Sequence, residues 1–259
     1  MTSEDRLSSL HWTEQPAPPK RRRRWPYRLA ITVLVVVGLF VGADRIAVGV
    51  VESSIASRVQ SSQGLATKPS VAIDGFPFLT QLAHMRLDKA TLDMRDVVRN
   101  GVHVTDLQAV ATGITLSNGF KSAVAHQVVA TAFVSWTDLQ AAAADQGFAV
   151  TVGEGGDGPD QLAVAGDLPG IGQVKVVSEI VVGPDNRISA KALKVTAGGL
   201  KFDGAIPTAL DFTIPVGKLP MGMILRDIRV ATDGIRVTGG ATDVSLTSSG
   251  VGGAGGTGR

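Results

Sequence analysis

The sequence predicts an α+β fold: a long N-terminal helix packed in a strongly curved antiparallel β-sheet, with an aliphatic groove between them. Three observations point there. An uncharged run of fifteen residues, 29–43 (LAITVLVVVGLFVGA), leads straight into a stretch with helical periodicity. After residue 68 the chain reads as short alternating segments divided by Gly, Pro, Asn and Asp, the pattern of strands joined by tight turns. Only one further stretch, 138–145 (DLQAAAAD), looks helical. Many strands with few helices fit an antiparallel sheet, and a sheet of roughly ten strands must curl or close.

The 259 residues divide unevenly in charge. Residues 1–28 hold seven Lys/Arg against three Asp/Glu, a net of +4, and the remainder nets −2. The sequence pI near 9.0 therefore belongs to the leader, and the body of the chain has no basic footprint for nucleic acid. There is no cysteine, which removes disulfides, thiol nucleophiles and thiolate metal sites together. Aromatics make up 5%, so any core or groove is mainly aliphatic.

Residues 1–28 are expected to be a disordered, basic, cytoplasmic leader: 1–20 lack hydrophobic period and carry three of the twelve prolines. Arg21–Arg24 then precede Trp25, Pro26 and Tyr27, and the apolar run begins. Clustered arginines hold their side of an apolar segment in the cytoplasm, and the aromatics suit head-group depth. The expectation is a domain outside the inner (plasma) membrane, tied to it by residues 29–51. Fifteen apolar residues are short for a bilayer, which takes about 20, and Val41-Gly42-Ala43 is an acceptable cleavage site. The alternative is a signal segment removed near Ala43, releasing the domain to the periplasm.

Within residues 44–63, Val48, Val51, Ile55 and Val59 recur at helical spacing and define one apolar face. Gly64 supplies a stop. The face suits packing on a sheet or lying along a membrane, although its single Arg58 is weak for electrostatic adsorption. The domain is expected over 44–247, with a disordered Gly/Ser-rich tail at 248–259. Strands are expected at 70–74, 85–94, 102–116, 125–136, 148–152, 161–165, 173–182, 187–195, 211–214, 223–231, 235–238 and 242–246. A change of phase near Asp106 suggests a bulge, Thr137 is the candidate N-cap of the 138–145 helix, residues 154–159 (EGGDGP) read as a glycine-rich turn, and Asp233-Gly234 signals a hairpin. Between the first two strands, Gly75-Phe76-Pro77-Phe78-Leu79 must turn, yet it carries three large apolar residues. They pack inward or meet a partner.

Catalytic and metal patterns are missing from the sequence. His11, His84, His103 and His126 have no ligand spacing, no Gly-x-Ser-x-Gly elbow occurs, and no glycine run is followed by a P-loop Lys. No catalytic residue, metal ligand or cofactor is expected. Asp88, Asp93 and Asp96 read as a solvated face, with a distant glycosidase-like pair still open.

The stretch Val71-Ala72-Ile73-Asp74-Gly75-Phe76-Pro77-Phe78-Leu79-Thr80-Gln81-Leu82 resembles the hallmark of the LmeA family of phospholipid-binding proteins of actinobacterial envelopes. Asp44-Arg45 directly after the apolar run, Leu219-Pro220-Met221, and Val230 with Asp233-Gly234-Ile235-Arg236-Val237 also fit. The resemblance covers roughly 44–246. It implies a periplasmic or membrane-anchored domain with a lipid cavity, similar to the tubular lipid-binding (TULIP-like) folds, and it carries no catalytic motif. Candidate lipid contacts are nominated from pattern: Phe76, Phe78, Leu79 and Leu82, then Met85 and Leu87, then Met221, Met223 and Leu225. Methionines suit an adaptable acyl surface, although each of these residues also reads as plain core. At ~0.8 kcal/mol per CH₂, a 16-carbon chain gains roughly 10 kcal/mol on burial before ordering costs.

Three functions compete. A phospholipid-binding module, as carrier or presenter in envelope biogenesis, requires a continuous apolar surface between helix and sheet. A scaffold that recruits envelope proteins by strand pairing without lipid requires a filled core and an open edge. An enzyme acting on envelope glycolipid requires carboxylates gathered at the mouth of the groove. For the first, Leu225→Asp is expected to abolish lipid retention in a folded chain.

Overall fold

The computed structural model describes residues 25–99, 101–155, 158, 160–168, 170–202, 211–216 and 219–247. Of the leader expected to be disordered over 1–28, residues 1–24 lie outside them and 25–28 are helical; the tail 248–259 and residues 156, 157 and 159 of the glycine-rich turn also lie outside. Two compact units are present, 1–42 and 43–259. Helix α1 (Trp25–Gln63) contributes to both. In the first unit its apolar side chains stand exposed, Leu34 at 74% and Leu39 at 69% among them. By length and composition this helix is able to cross a membrane.

The second unit contains two antiparallel sheets. The first has the order β1-β2-β3-β4-β12-β11, formed by β1 (Ser70–Asp74), β2 (Arg86–Arg99), β3 (Val102–Ser117), β4 (Ser122–Ser135), β12 (Gly234–Thr247) and β11 (Ile224–Ala231). The second has the order β10-β8-β7-β6-β5, formed by β10 (Phe212–Pro215), β8 (Arg187–Ala197), β7 (Gly172–Gly183), β6 (Gln161–Leu168) and β5 (Val150–Glu154), with the short β9 (Leu200–Phe202) on β8. Two short helices complete the unit, α2 (Phe78–Ala83) and α3 (Trp136–Asp145). The α+β class and the helix packed against a sheet are as expected. Glu52 on α1 accepts the backbone N–H of Ile73 at 2.7 Å, so this part of the helix lies along the β1 edge and covers an otherwise open row of backbone groups.

The buried face of α1 differs from the aliphatic stripe read in the sequence. Asp44, Val48 and Ala56 are buried, whereas Ile55 is 39% exposed. The face toward the domain runs Asp44, Val48, Glu52, Ala56, with Val51 at its margin. Its two carboxylates are there because each satisfies a backbone N–H: Asp44 that of Leu79 and Glu52 that of Ile73. The hydrophobic pattern reports Val48 and Val51 but not the acids that share the face with them.

Other local departures have similar causes. The Gly75-to-Leu82 turn contains α2, which follows Pro77 and receives its cap from Asp44, thirty-five residues before Leu79. Gly75 has φ +111°, and a Cβ there would collide with the amide nitrogen of Gln81. Gln81 Oε1 in turn accepts the N–H of Asp88 at 3.0 Å, which ties the turn to β2. α3 starts two residues earlier than read, because Ser135 and not Thr137 accepts the Asp138 N–H at 3.1 Å. β12 is one strand where two were expected. The Gly239-Gly240 pair reads as a break, yet Gly240 stays in the ladder opposite Val129. Arg226, the extra residue of the β11 bulge, lies against Gly240, where a Cβ would come within 2.6 Å of its side chain. The phase change near Asp106 is real but is no bulge. β2 and β3 keep one register on both sides of it, and the left-handed residue is Asp96 on β2, φ +55°.

Candidate functional site

One face of the first sheet is aliphatic from edge to edge. On β1 it presents Val71 and Ile73. On β2 it presents Leu92 and Ala90, paired to Ala109 and Ala111 of β3, which pair to Ala130 and Val128 of β4. Val128 faces Ala241 on β12, and Val134, Ile235 and Val230 continue the row to β11. Under strict alternation, apolar residues spaced by three would fall on opposite faces of a strand. Every long strand avoids that by stepping three residues instead of two at one row: Leu87 to Ala90, Ala111 to Ile114, Ala125 to Val128, Ala241 to Val244, all members of a single apolar cluster. The row crosses Gly113 (φ +62°) and Asp243 (φ +52°), left-handed positions inside strands. Because all four strands make the step together, the register is undisturbed.

This face is covered unevenly. At one corner Val48 of α1, Ile73 and Phe78 form a cluster with Leu79, Leu82 and Leu87 around it. At another, the 3-10 turn Pro220–Gly222 brings Leu219, Met221 and Met223 onto Ile114, Ala125, Val128 and Val244. At the far end the second sheet packs Leu162 and Ile180 against Ile228 and Ile235, flanked by Trp136 and Leu139 of α3. Between these covers, Leu92, Met94, Leu107, Ala109, Ala130 and Ala132 are only half-buried. The positions named here on this face carry no charge and no hydroxyl. Positions one residue out of phase, Thr91, Asp93, Gln108 and Thr131, form the polar reverse side, where Gln108 donates to Asp93 at 2.7 Å.

The nine nominated residues divide between the covers and the surface. Phe78 is 1% exposed, and with Leu79, Leu82 and Leu87 it anchors the α1 corner. Met221 and Met223 belong to the cover made by the 3-10 turn, and Leu87 joins both clusters. Leu225 is 7% exposed and its N–H is held by Asn186 Oδ1 at 2.8 Å, so a charge at 225 strikes the core before it strikes a ligand. Met85 has φ +55° and its carbonyl accepts the Leu116 N–H, a joint between α2 and β2. Phe76 is 60% exposed. The half-buried middle of the face was not nominated, although its signal was present in the alternations 107–111 and 128–134. Two clefts lie elsewhere, about 490 Å³ between α3 and the β5–β6 edge and about 710 Å³ on the polar side of the first sheet, and none of the nine lines either.

Two acids hold the frame. Asp44 is fully buried; burial opposes its ionisation, but N–H donation from Leu79, the Arg45 guanidinium and the Phe78 N–H outweigh that and hold its carboxyl below the usual range. Asp138 joins α3 to β3 and β4. A hydrogen bond from Ser135 lowers its pKa, burial opposes, and Thr105 and His103 add to the lowering. Among the described residues no group of three His, Cys, Asp or Glu is placed to hold a metal ion.

A family model described as LmeA-like phospholipid-binding matches residues 42–240, the span that contains the α1 corner, the three covers and the aliphatic face up to Gly240 of β12. The chain belongs to the LmeA-like phospholipid-binding family. No curated protein and no solved structure matches it. The LmeA-like family is a phospholipid-binding one, not a known enzyme family.

Proposed function

We propose that this LmeA-like chain binds a phospholipid by laying its acyl chain across the half-buried middle of the first sheet, and that it does so outside the cytoplasm in the service of cell-envelope biogenesis. The observation that carries the reading is the continuous aliphatic face, whose named positions carry no charge and no hydroxyl, with its centre half-buried between three more closely packed corners. Burial there draws on the hydrophobic term alone, so the face is tolerant of acyl-chain length. Membrane attachment by residues 25–43 is part of the proposal. Nineteen helical residues rise about 28 Å, close to the hydrocarbon thickness of a bilayer, and Arg21–Arg24 support an N-terminus on the cytoplasmic side. Nothing in the reading requires a chemical step. The nominated Phe78, Leu79, Leu82, Leu87, Met221, Met223 and Leu225 serve as walls of the seat.

The test is extraction of lipid from the full chain purified in detergent from a membrane-containing host, against residues 1–43 fused to an unrelated soluble domain. The proposal expects near-stoichiometric phospholipid above that reference. Equal phosphate in both would remove the lipid seat and favour a scaffold.

A further inference from the structure

Inward packing explains Phe78, Leu79 and Leu82 but leaves Phe76 over. It is 60% exposed, two residues from a phenylalanine that is 1% exposed. Its ring is not idle: the guanidinium carbon of Arg45 stands 5.2 Å from the ring centroid, within cation–π range. Arg45 is held in turn by Asp44 Oδ2 at 2.7 Å, and Asp44 is fixed by the Leu79 N–H at 2.8 Å. A buried contact thus sets the position of an exposed pair, and the Arg45 side chain remains 52% exposed.

Arg45 is the second residue beyond the uncharged run that ends at Ala43. On the reading that this run crosses a membrane, a helix rising about 1.5 Å per residue leaves Arg45 within head-group depth. Whatever touches Arg45 shares that depth. A large exposed aromatic ring beside a guanidinium fits such a place: the ring enters the acyl boundary, and the planar fork of donors matches a phosphate.

We propose that Arg45 and Phe76 form a phospholipid head-group site at the membrane surface, with the Phe76 ring among the head groups and the exposed donors of Arg45 on a lipid phosphate. The ring holds the guanidinium in place, so little side-chain freedom is lost when phosphate binds. Through Asp44 the site is tied to Leu79, which shares a cluster with Leu87, and Leu87 leads onto the aliphatic face. It is therefore the threshold between bilayer and sheet.

The absence of cysteine makes the test clean. The full chain with Phe76→Cys carries a nitroxide and is placed in phosphatidylcholine–phosphatidylglycerol vesicles. Flotation establishes that the chain is in the bilayer. Collision of the label with oxygen is then compared with collision with a water-soluble nickel chelate, using Phe120→Cys in the β3–β4 turn as reference. The site predicts an oxygen-dominated profile at 76, lost when Arg45→Gln is added. A profile at 76 equal to that at 120 in floating vesicles would overturn the site and leave the membrane reading standing. An oxygen-dominated profile indifferent to Arg45→Gln would overturn the phosphate role. A chain that does not float would defeat the membrane reading, and the site with it.

Discussion

A carboxylate in the centre of the aliphatic face separates binding from folding. Ala109 pairs with Leu92 on one side and Ala130 on the other, and all three are half-buried. Because the site is only half-buried, Ala109→Asp costs the fold little more than strand propensity, ~1 kcal/mol, or about 2–4 °C in Tm for a unit of this size. A bound acyl chain suffers more. With strands about 4.8 Å apart, a carboxylate at 109 denies contact to a few methylenes, and four of them are worth ~3 kcal/mol. That is a loss of more than about a hundredfold in affinity. The assay is phosphate per chain after purification, with Tm measured on the same sample. Val110→Asp, one residue away on the opposite side of the sheet, is the control and should retain lipid. Retention of lipid by Ala109→Asp at unchanged Tm would refute the seat.

Other outcomes follow from the same geometry. Phe78→Ala empties a site that is 1% exposed and should cost ~3–5 kcal/mol, on the order of 10 °C by calorimetry, whereas Phe76→Ala should stay within about 0.5–1 kcal/mol, the worth of an exposed cation–π pair. Asp44→Asn weakens the acceptor that caps α2, so amide exchange at Phe78 and Leu79 should accelerate while exchange in β3 and β4 does not. Asp138 has a folded pKa below its ordinary 3.8, so its stabilisation is present above that value and is lost as pH falls through the folded pKa. The Tm of the native chain should therefore show an acid step below about pH 4 that shrinks in Asp138→Asn. Ser135→Ala removes the N-cap of α3 and should cost ~1 kcal/mol by denaturant titration.

How much of this was legible in the sequence depended on whether the signal was local. The strands at 70–74 and 187–195 and the Asp233-Gly234 hairpin were readable because alternation and turn residues sit side by side. α2 was not, since its cap comes from Asp44. The buried face of α1 was legible only in part: Val48 and Val51 lie on it, but Ile55 is exposed and Asp44 and Glu52, acids that hydrophobicity assigns to water, take its other places. The three-residue step at Gly113 and Asp243 looked like mixed faces in 85–94, and only the ladder shows that four strands take it together. The hallmark stretch drew the expected lipid contacts toward Phe78 and Leu82, which pack in the α1 corner, and the proposed seat adds Ala109 and Ala130 to them. The alternations at 107–111 and 128–134 mark a strand face, and alanines on it do not say that the face is a seat. Their small side chains matter only once neighbouring strands place them in a row.

The most direct measurement is photolabelling of the full chain by a phospholipid with a diazirine in its acyl chain, followed by residue-level mass spectrometry. The account predicts adducts at Leu92, Met94, Leu107, Ala109, Ala130 and Ala132. Adducts at Thr91, Gln108 and Thr131, or on residues 25–43 alone, would contradict it.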